Sequence, residues 1–281
     1  MIAADFAERL NPLAPDALAD VLVVKIGGGA GLDMERCADD LAATARQRPL
    51  VIVHGVSDAM NRLCAERGVA VRTLVSPTGH ESRYTDPQTR DLFVEAAQQV
   101  NEALVAALAA RGVRAQGVAN AIQGERKTAI RAVVNGRVVM VRDDYSGTIS
   151  GVNRQPIEEL LAQGIVPVLP PLAQSADGCL NIDGDRASAA VAAALCARDL
   201  VILSNVRGLY RRFPDESTLI AEVRRHELDN ALALAQGRMK RKVLGAQEAL
   251  AGGVTRAIIA DGRAVQPLSA ALSGAGTHFL R

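Results

Sequence analysis

Lys25 closes a β-branched apolar run, Val21-Leu22-Val23-Val24, and is followed after Ile26 by the glycines Gly27, Gly28 and Gly29. A Walker-type phosphate loop has the reverse order, glycines first and lysine at the start of the next helix. Here a strand delivers the lysine, and the glycines then let the backbone approach a ligand closely. A helix after them aims its N-terminal amides at an anion. The chemistry this suits is phosphate binding. The stretch "VIVHGVSDAMN" repeats the design, with His54-Gly55 and then Val56-Ser57 at the mouth of a second helix. A third stretch, "LNIDGDRASAAVAAAL", places Asn181, Asp183 and Asp185 ahead of an alanine-rich helix that must pack tightly. Acids at a helix start are often caps, and capping is the expected role of Asp183. In the fourth, "QGRMKRKVLGAQEAL", Lys240, Arg241 and Lys242 open a helix. Cations there oppose the helix dipole and want an anionic partner, of which phosphate is the simplest.

The elements that must position these groups alternate along the chain. "VLVVKIGG", "PLVIVHG", "GIVPVLPPLA", "DLVILSNVRG" and "VTRAIIADG" are short apolar strands, each bounded by glycine, proline or a charge. Between them lie amphipathic stretches from Met34 to Gln47, from Asp58 to Arg67 and, the longest, from Asp86 to Arg111. That last stretch repeats apolar residues at steps of three and four. Strands alternating with helices of this length predict an α/β protein with a largely parallel sheet covered on both faces. Two strand-glycine-helix openings at successive strand ends would then face one crevice, where open parallel sheets bind ligands.

One segment breaks the rhythm. Thr128 to Ile149 reads as an inserted hairpin turning at Asn135-Gly136, a pair suited to the positive φ angles of a type I′ turn. It is basic, with Arg126, Lys127, Arg131, Arg137 and Arg142. Charges on such a ribbon either block strand-to-strand aggregation or meet a partner.

The bulk numbers narrow the classes. The 281 residues suffice for one large domain or two lobes with a continuous core. A formal net charge of +1 gives no reason to expect nucleic acid or a membrane surface as partner. No apolar run reaches spanning length, and the first twenty residues lack the pattern of a secretory signal. Cys37, Cys64, Cys179 and Cys196 are widely spaced, and the four histidines are scattered, so neither a disulfide framework nor a zinc site is expected. A cytoplasmic protein with reduced thiols is the expectation.

Taken together, the stretches resemble the amino acid kinase superfamily in its acetylglutamate-kinase-like branch. The matching pieces "VVKIGGG", "VIVHG", "SRYTD", "LNIDGDRASAAVAAAL", "LSNVRGLY", "GRMKRKV" and "GAGT" run in that family's order from Val21 onward. The resemblance implies a three-layer αβα sandwich and ATP-dependent phosphorylation of a side-chain carboxylate to an acyl phosphate. By carry-over, Lys25 and Lys242 flank the migrating phosphoryl group and Asp185 holds both lysines. Gly27, Gly28 and Gly29 approach the phosphate, and Gly55, Val56 and Ser57 line the substrate. Arg83 clamps the substrate's α-carboxylate, a bidentate task suited to arginine, and Asn181 stands at its amide end. Ser204, Asn205, Val206, Gly208, Leu209 and Tyr210 match the nucleotide-binding loop. ATP implies Mg2+, with contacts mostly to phosphate and water, and no residue is nominated as a metal ligand.

Within the branch, "SPTGHESRYTDPQTRDLF", the hairpin "GERKTAIRAVVNGRVVMVRDDYSG" and "FPDESTLI" look most like the [LysW]-aminoadipate kinases of lysine biosynthesis. Their acceptor is 2-aminoadipate joined through its amine to a small acidic carrier protein, LysW. Arg126, Lys127, Arg131 and Arg137 are the residues expected to meet such a carrier. N-acetyl-L-glutamate 5-kinase and LysW-glutamate kinase, both of arginine biosynthesis, are the alternatives within the enzymes. A regulatory relative that only binds nucleotide or amino acid is the alternative outside them, and retention of Lys25, Asp185 and Lys242 together argues against it. A dinucleotide-binding oxidoreductase fails because "GGGAG" lacks the G-x-G-x-x-G spacing. The resemblance further implies an N-terminal extension over 1–19, an acceptor lobe over 20–172 with the hairpin at about 126–149, a nucleotide-binding lobe over 173–281, and a homodimer. Pro12 and Pro15 interrupt the extension, which makes hexamer-building through a long N-terminal helix unexpected. Val56 departs from the family's His-Gly-Gly, either turning aside in an ordinary conformation or altering the acceptor site. Asn205 stands where relatives often carry aspartate.

Overall fold

In the computed structural model, strand β1 (Leu22–Ile26) leads to helix α1 (Met34–Ala45), and β2 (Leu50–His54) to α2 (Ser57–Glu66). The structure describes residues 20–281 except 30, 33, 78 and 80 and the side chain of residue 35; the expected 1–19 extension lies outside the described residues. A small ribbon, β3 (Thr73–Val75) and β4 (Glu81–Arg83), precedes the long α3 (Pro87–Ala109). Then come β5 (Ala115–Gly117), β6 (Ile122–Arg126), β7 (Ile130–Val134), β8 (Arg137–Val141), β9 (Gly147–Val152) and α4 (Gln155–Ala162). Strands β10 (Val166–Leu169), β11 (Leu172–Ser175) and β12 (Gly178–Asn181) lead to α5 (Gly184–Ala194) and β13 (Asp199–Ser204). The chain closes with β14 (Glu222–Arg224), α6 (Leu228–Leu234), α7 (Arg238–Ala251), β15 (Arg256–Asp261), α8 (Pro267–Leu272) and β16 (Thr277–Leu280).

Eight strands form one sheet in the order β14-β16-β15-β13-β1-β2-β10-β5, with β15 and β16 its antiparallel neighbours and the other pairs parallel. Both faces are covered, which is why its strands read as continuous apolar runs. On one face Val21, Val23, Val51, Val53, Leu200 and Ile202 pack with Ala187, Val191, Ala246 and Ala249 of α5 and α7. On the other, Leu22, Val24, Leu50, Ile52 and Val201 pack with Leu41 of α1, Leu104 and Leu108 of α3, and Leu268 of α8. This is the expected three-layer αβα sandwich. Strands from both halves of the chain share the sheet, with β1 paired to β2 on one side and to β13 on the other. Because side chains alternate along a strand, Lys25 continues the row of Val21 and Val23 and points toward α5.

A second sheet, ordered β12-β11-β6-β9, stands beside the first. The hairpin is β7 paired with β8, and Asn135 and Gly136 have φ of 49° and 74°, as a type I′ turn requires. Its bounds differ from the sequence reading. Paired residues run from Ile130 to Val141, whereas Gly147–Val152 pairs with β6, ending at the rung Arg126–Gly147. The hairpin therefore extends from a longer ribbon. Asp86 caps α3, its carboxylate accepting from the Thr89 amide at 2.8 Å, with proline in the first turn.

Candidate active site

Lys25, Asp185 and Lys242 meet at the C-terminal end of the parallel strands. Lys25 Nζ lies 2.8 Å from Asp185 Oδ1 and Lys242 Nζ lies 2.9 Å from Asp185 Oδ2. The side chains of Lys25 and Asp185 are each 8% exposed and that of Lys242 12%. Asp183 caps α5 as expected, accepting from the amides of Asp185 and Arg186 at 3.0 Å, which leaves Asp185 in the first turn to face the sheet. Helix α7 reaches the same point because Gly245 lies against α5; a Cβ there would sit 3.0 Å from the Asp185 carbonyl oxygen. Burial pushes the Asp185 carboxyl upward, but Lys25 and Lys242 outweigh it and hold the group well below the usual carboxylate range. Burial pushes Lys242 down; Asp185 opposes that, and Lys25 adds to it. The cluster carries two cations and one anion, so a net positive charge faces the crevice with little water to screen it.

The two glycine loops cross backbone to backbone beside it. A Cβ on Gly28 would lie 2.3 Å from the Gly55 carbonyl carbon and the Val56 nitrogen, and one on Gly55 2.4 Å from the Gly28 nitrogen. The crossing is tied by Gly55 N–H to the Ile26 carbonyl at 2.8 Å and Asp58 N–H to the Gly28 carbonyl at 2.7 Å. Gly27 bonds the Leu203 carbonyl at 2.9 Å, while a Cβ on Gly29 would meet nothing within 4 Å. Of the two readings of Val56, the structure has the milder one. Its φ is −129° and its side chain is buried with Met60, Leu63, Phe93 and Leu172. Ser57 begins α2 and is exposed. His54 is fully buried, its Nε2 3.3 Å from Asn101 Nδ2, and burial lowers its pKa to about 4. It is neutral at physiological pH.

Arg83 comes from β4, where its Nη2 donates to Asn61 Oδ1 at 2.6 Å and its Nη1 is buried without a hydrogen-bond partner among the described residues. A buried unpaired guanidinium nitrogen is costly and marks a place for an anion. Asn181 ends β12, its Nδ2 donating to Thr85 Oγ1 at 3.0 Å. Arg241 spans from α7 to the β3–β4 ribbon, with Nη1 3.2 Å from Asp183 Oδ2 and Nη2 donating to the Glu81 carbonyl. Neither the Thr85–Asn181 bond nor the Arg241 bridge is signalled by sequence, because both join segments far apart in the chain. Across the crevice, Ser204 ends β13; Asn205 is exposed and Val206 half-buried. Leu209 and Tyr210 are buried, so their side chains shape the loop and only its backbone and its start face outward. Gly208 lies where a Cβ would meet Thr277 Oγ1 at 2.5 Å, and Thr277 Oγ1 accepts the Leu209 amide at 2.8 Å.

The four cations expected to meet a carrier separate into two kinds. Arg126 is tied into the ribbon base, its Nε donating to the Asp144 carbonyl at 2.9 Å and its guanidinium 3.9 Å over the Tyr145 ring. Lys127, Arg131 and Arg137 are exposed, and their side chains have no ion-pair or hydrogen-bond partner among the described residues. Among those residues no three His, Cys, Asp or Glu side chains converge to hold a metal ion, and Asp185 is committed to its lysines. No described helix is long and apolar enough to cross a membrane.

The family model described as "Amino acid kinase family" matches residues 20–261. A [LysW]-aminoadipate kinase of Deinococcus radiodurans is 43% identical over 279 residues, covering 97% of this chain and 96% of that protein. One of Thermus thermophilus is 43% identical over 266 residues, covering 92% and 99%. Among solved structures, an N-acetylglutamate synthase from Neisseria gonorrhoeae complexed with coenzyme A and N-acetyl-glutamate superposes with a TM-score of 0.76 at 26% identity. It matches 99% of this chain, which spans 62% of that longer one.

Proposed function

The chain belongs to the amino acid kinase family, and we propose that it uses ATP to phosphorylate the side-chain carboxylate of 2-aminoadipate carried on an acidic LysW-type protein. The observation that carries the reading is Asp185 gripped on each oxygen by Lys25 and Lys242. A carboxylate oxygen of the acceptor attacks the γ-phosphorus, the bond to the bridging oxygen breaks, and ADP leaves. The acceptor is ionised at neutral pH and brings no proton to remove, so the reaction needs no general base. Asp185, with both oxygens engaged, is accordingly a holder of lysines. Catalysis in phosphoryl transfer is mostly placement and charge stabilisation. The two ammonium groups neutralise the equatorial oxygens in flight, and each is worth on the order of 3 kcal/mol of the barrier, by analogy with oxyanion donors.

Arg83 Nη1, buried and unpaired, suits the acceptor's α-carboxylate, and Asn181 its amide. Gly27, Gly28 and Gly29 with Gly55, Val56 and Ser57 offer backbone to the acceptor and the transferring phosphate. Ser204, Asn205, Val206 and Gly208 to Tyr210 would hold the nucleotide. In this reading 20–172 takes the acceptor and 173–281 the nucleotide. Mg2+ would arrive with ATP and be held by phosphate and water. Lys127, Arg131 and Arg137 are exposed along the hairpin, Arg131 and Arg137 on opposite faces of it, and their charge steers an acidic carrier. A homodimer belongs to the same reading. The test compares kcat/KM for carrier-linked aminoadipate, carrier-linked glutamate and N-acetylglutamate. Preference for carrier-linked aminoadipate supports the proposal, and equal or better use of N-acetylglutamate overturns it.

A further inference from the structure

Asp144 is a buried carboxylate with no ion-pair partner among the described residues. Its Oδ2 accepts from the Thr85 amide at 2.9 Å and its Oδ1 from the Ser146 amide at 2.7 Å. A buried charge satisfied by amides alone is expensive, so what those amides hold in place matters. Thr85 is itself fully buried, its hydroxyl donating to the Arg83 carbonyl at 3.2 Å and accepting from Asn181 Nδ2 at 3.0 Å. Its carbonyl accepts from the Tyr145 amide at 2.7 Å, and the Tyr145 carbonyl accepts from the Asn181 amide at 2.9 Å. The base of the hairpin is therefore stitched between the segment bearing Arg83 and the strand bearing Asn181. Arg126 clamps that base from the other side, through the Asp144 carbonyl and the Tyr145 ring.

We propose that Asp144, acting through Thr85, is the positioning residue of the acceptor site: it sets the places of Arg83 and Asn181 and couples them to the hairpin. The proposal rests on the reading of Arg83 and Asn181 as acceptor ligands. Neither Asp144 nor Thr85 touches the acceptor. Their effect is on its binding and not on the nucleotide, which distinguishes positioning from general support of the fold.

The test uses Asp144→Asn, Thr85→Val and Thr85→Ser in the full chain, with KM for acceptor and for ATP measured separately. Asparagine keeps the shape but turns an amino group toward one of the two amides. Valine removes the hydroxyl and spares Asp144. Each of these two variants raises the acceptor KM about tenfold, the size of one well-made hydrogen bond, and leaves the ATP KM unchanged. Thr85→Ser stays near wild type. Because both act through one chain of bonds, the double variant is scarcely worse than either single one. An unchanged acceptor KM, a parallel rise in the ATP KM, or full additivity would overturn the proposal. A wild type silent toward every carboxylate acceptor would instead refute the activity. Amide hydrogen exchange then decides the coupling: in Asp144→Asn the Thr85 and Asn181 amides open together if it exists, and Asn181 stays protected if it does not.

Discussion

Replacing Asp185 by asparagine removes the carboxylate that pairs with two ammonium groups at 2.8 and 2.9 Å. Two lysines and one aspartate sum to +1; the variant leaves +2 in the same nearly dry space. Removing one partner of a buried ion pair costs about 3–5 kcal/mol, a large share of a typical folding stability of about 5–15 kcal/mol. The variant should fold but unfold at distinctly lower urea. Its rate should fall by a factor of about 10²–10³, as for loss of one preorganised charge stabiliser, because both lysines lose the group that aims them. The pH dependence has a definite sign. Lys242 is already pushed down by burial and by Lys25 and held up by Asp185. Without the carboxylate its proton leaves at lower pH, so the variant's activity declines earlier on the alkaline side. A second variant separates charge from shape: adding Lys25→Gln to Asp185→Asn removes the excess cation and should recover stability without recovering rate. Urea titration and initial rates on folded protein read both effects. A wild-type urea midpoint for Asp185→Asn, or a double variant less stable than the single, would refute the reasoning.

Gly28→Ala forces a Cβ to within 2.3 Å of backbone at Gly55 and Val56 and should cost about 1–3 kcal/mol. Gly29→Ala meets open space and should leave thermal stability intact, so any loss of activity there reports approach of a ligand. Arg83→Lys keeps the charge but loses the fork, and should raise the acceptor KM about tenfold or more with little change in the ATP KM. His54 has a folded pKa of about 4 against 6.5 ordinarily. The unfolded chain takes up its proton first, so stability is full above about pH 6.5 and falls toward pH 4 by about 3 kcal/mol in all. Denaturant midpoints for His54→Gln across that range should show a flatter decline.

Much of this site was legible because its parts are local. A lysine ending a β-branched run, glycines after two strand ends, an acid in the first turn of an alanine-rich helix and a cationic helix start are each written in a few residues. Their meeting follows from the parallel sheet, which brings those ends to one crevice. The Asn135-Gly136 turn was equally plain, since few pairs accept two positive φ angles. Other features were not. The second sheet has strands of four to six residues such as Gly178–Asn181, too short and too mixed for a periodicity to show. That Val56 turns into the core depends on packing against Phe93 and Leu172, which no neighbouring residue announces. Arg126 reads as one more cation of a basic ribbon, and only the fold shows its guanidinium over Tyr145. Asp144 and Thr85 are 59 residues apart, so nothing in either local sequence points to the other.

The most direct test of the central claim is to incubate the protein with ATP and carrier-linked 2-aminoadipate, trap the product with hydroxylamine, and locate the hydroxamate by mass spectrometry. A hydroxamate on the aminoadipate side chain, formed only with ATP and lost in the Lys242→Met variant, is the predicted result. ADP release without a hydroxamate on that carboxylate, or equal trapping in the Lys242→Met variant, would contradict the account.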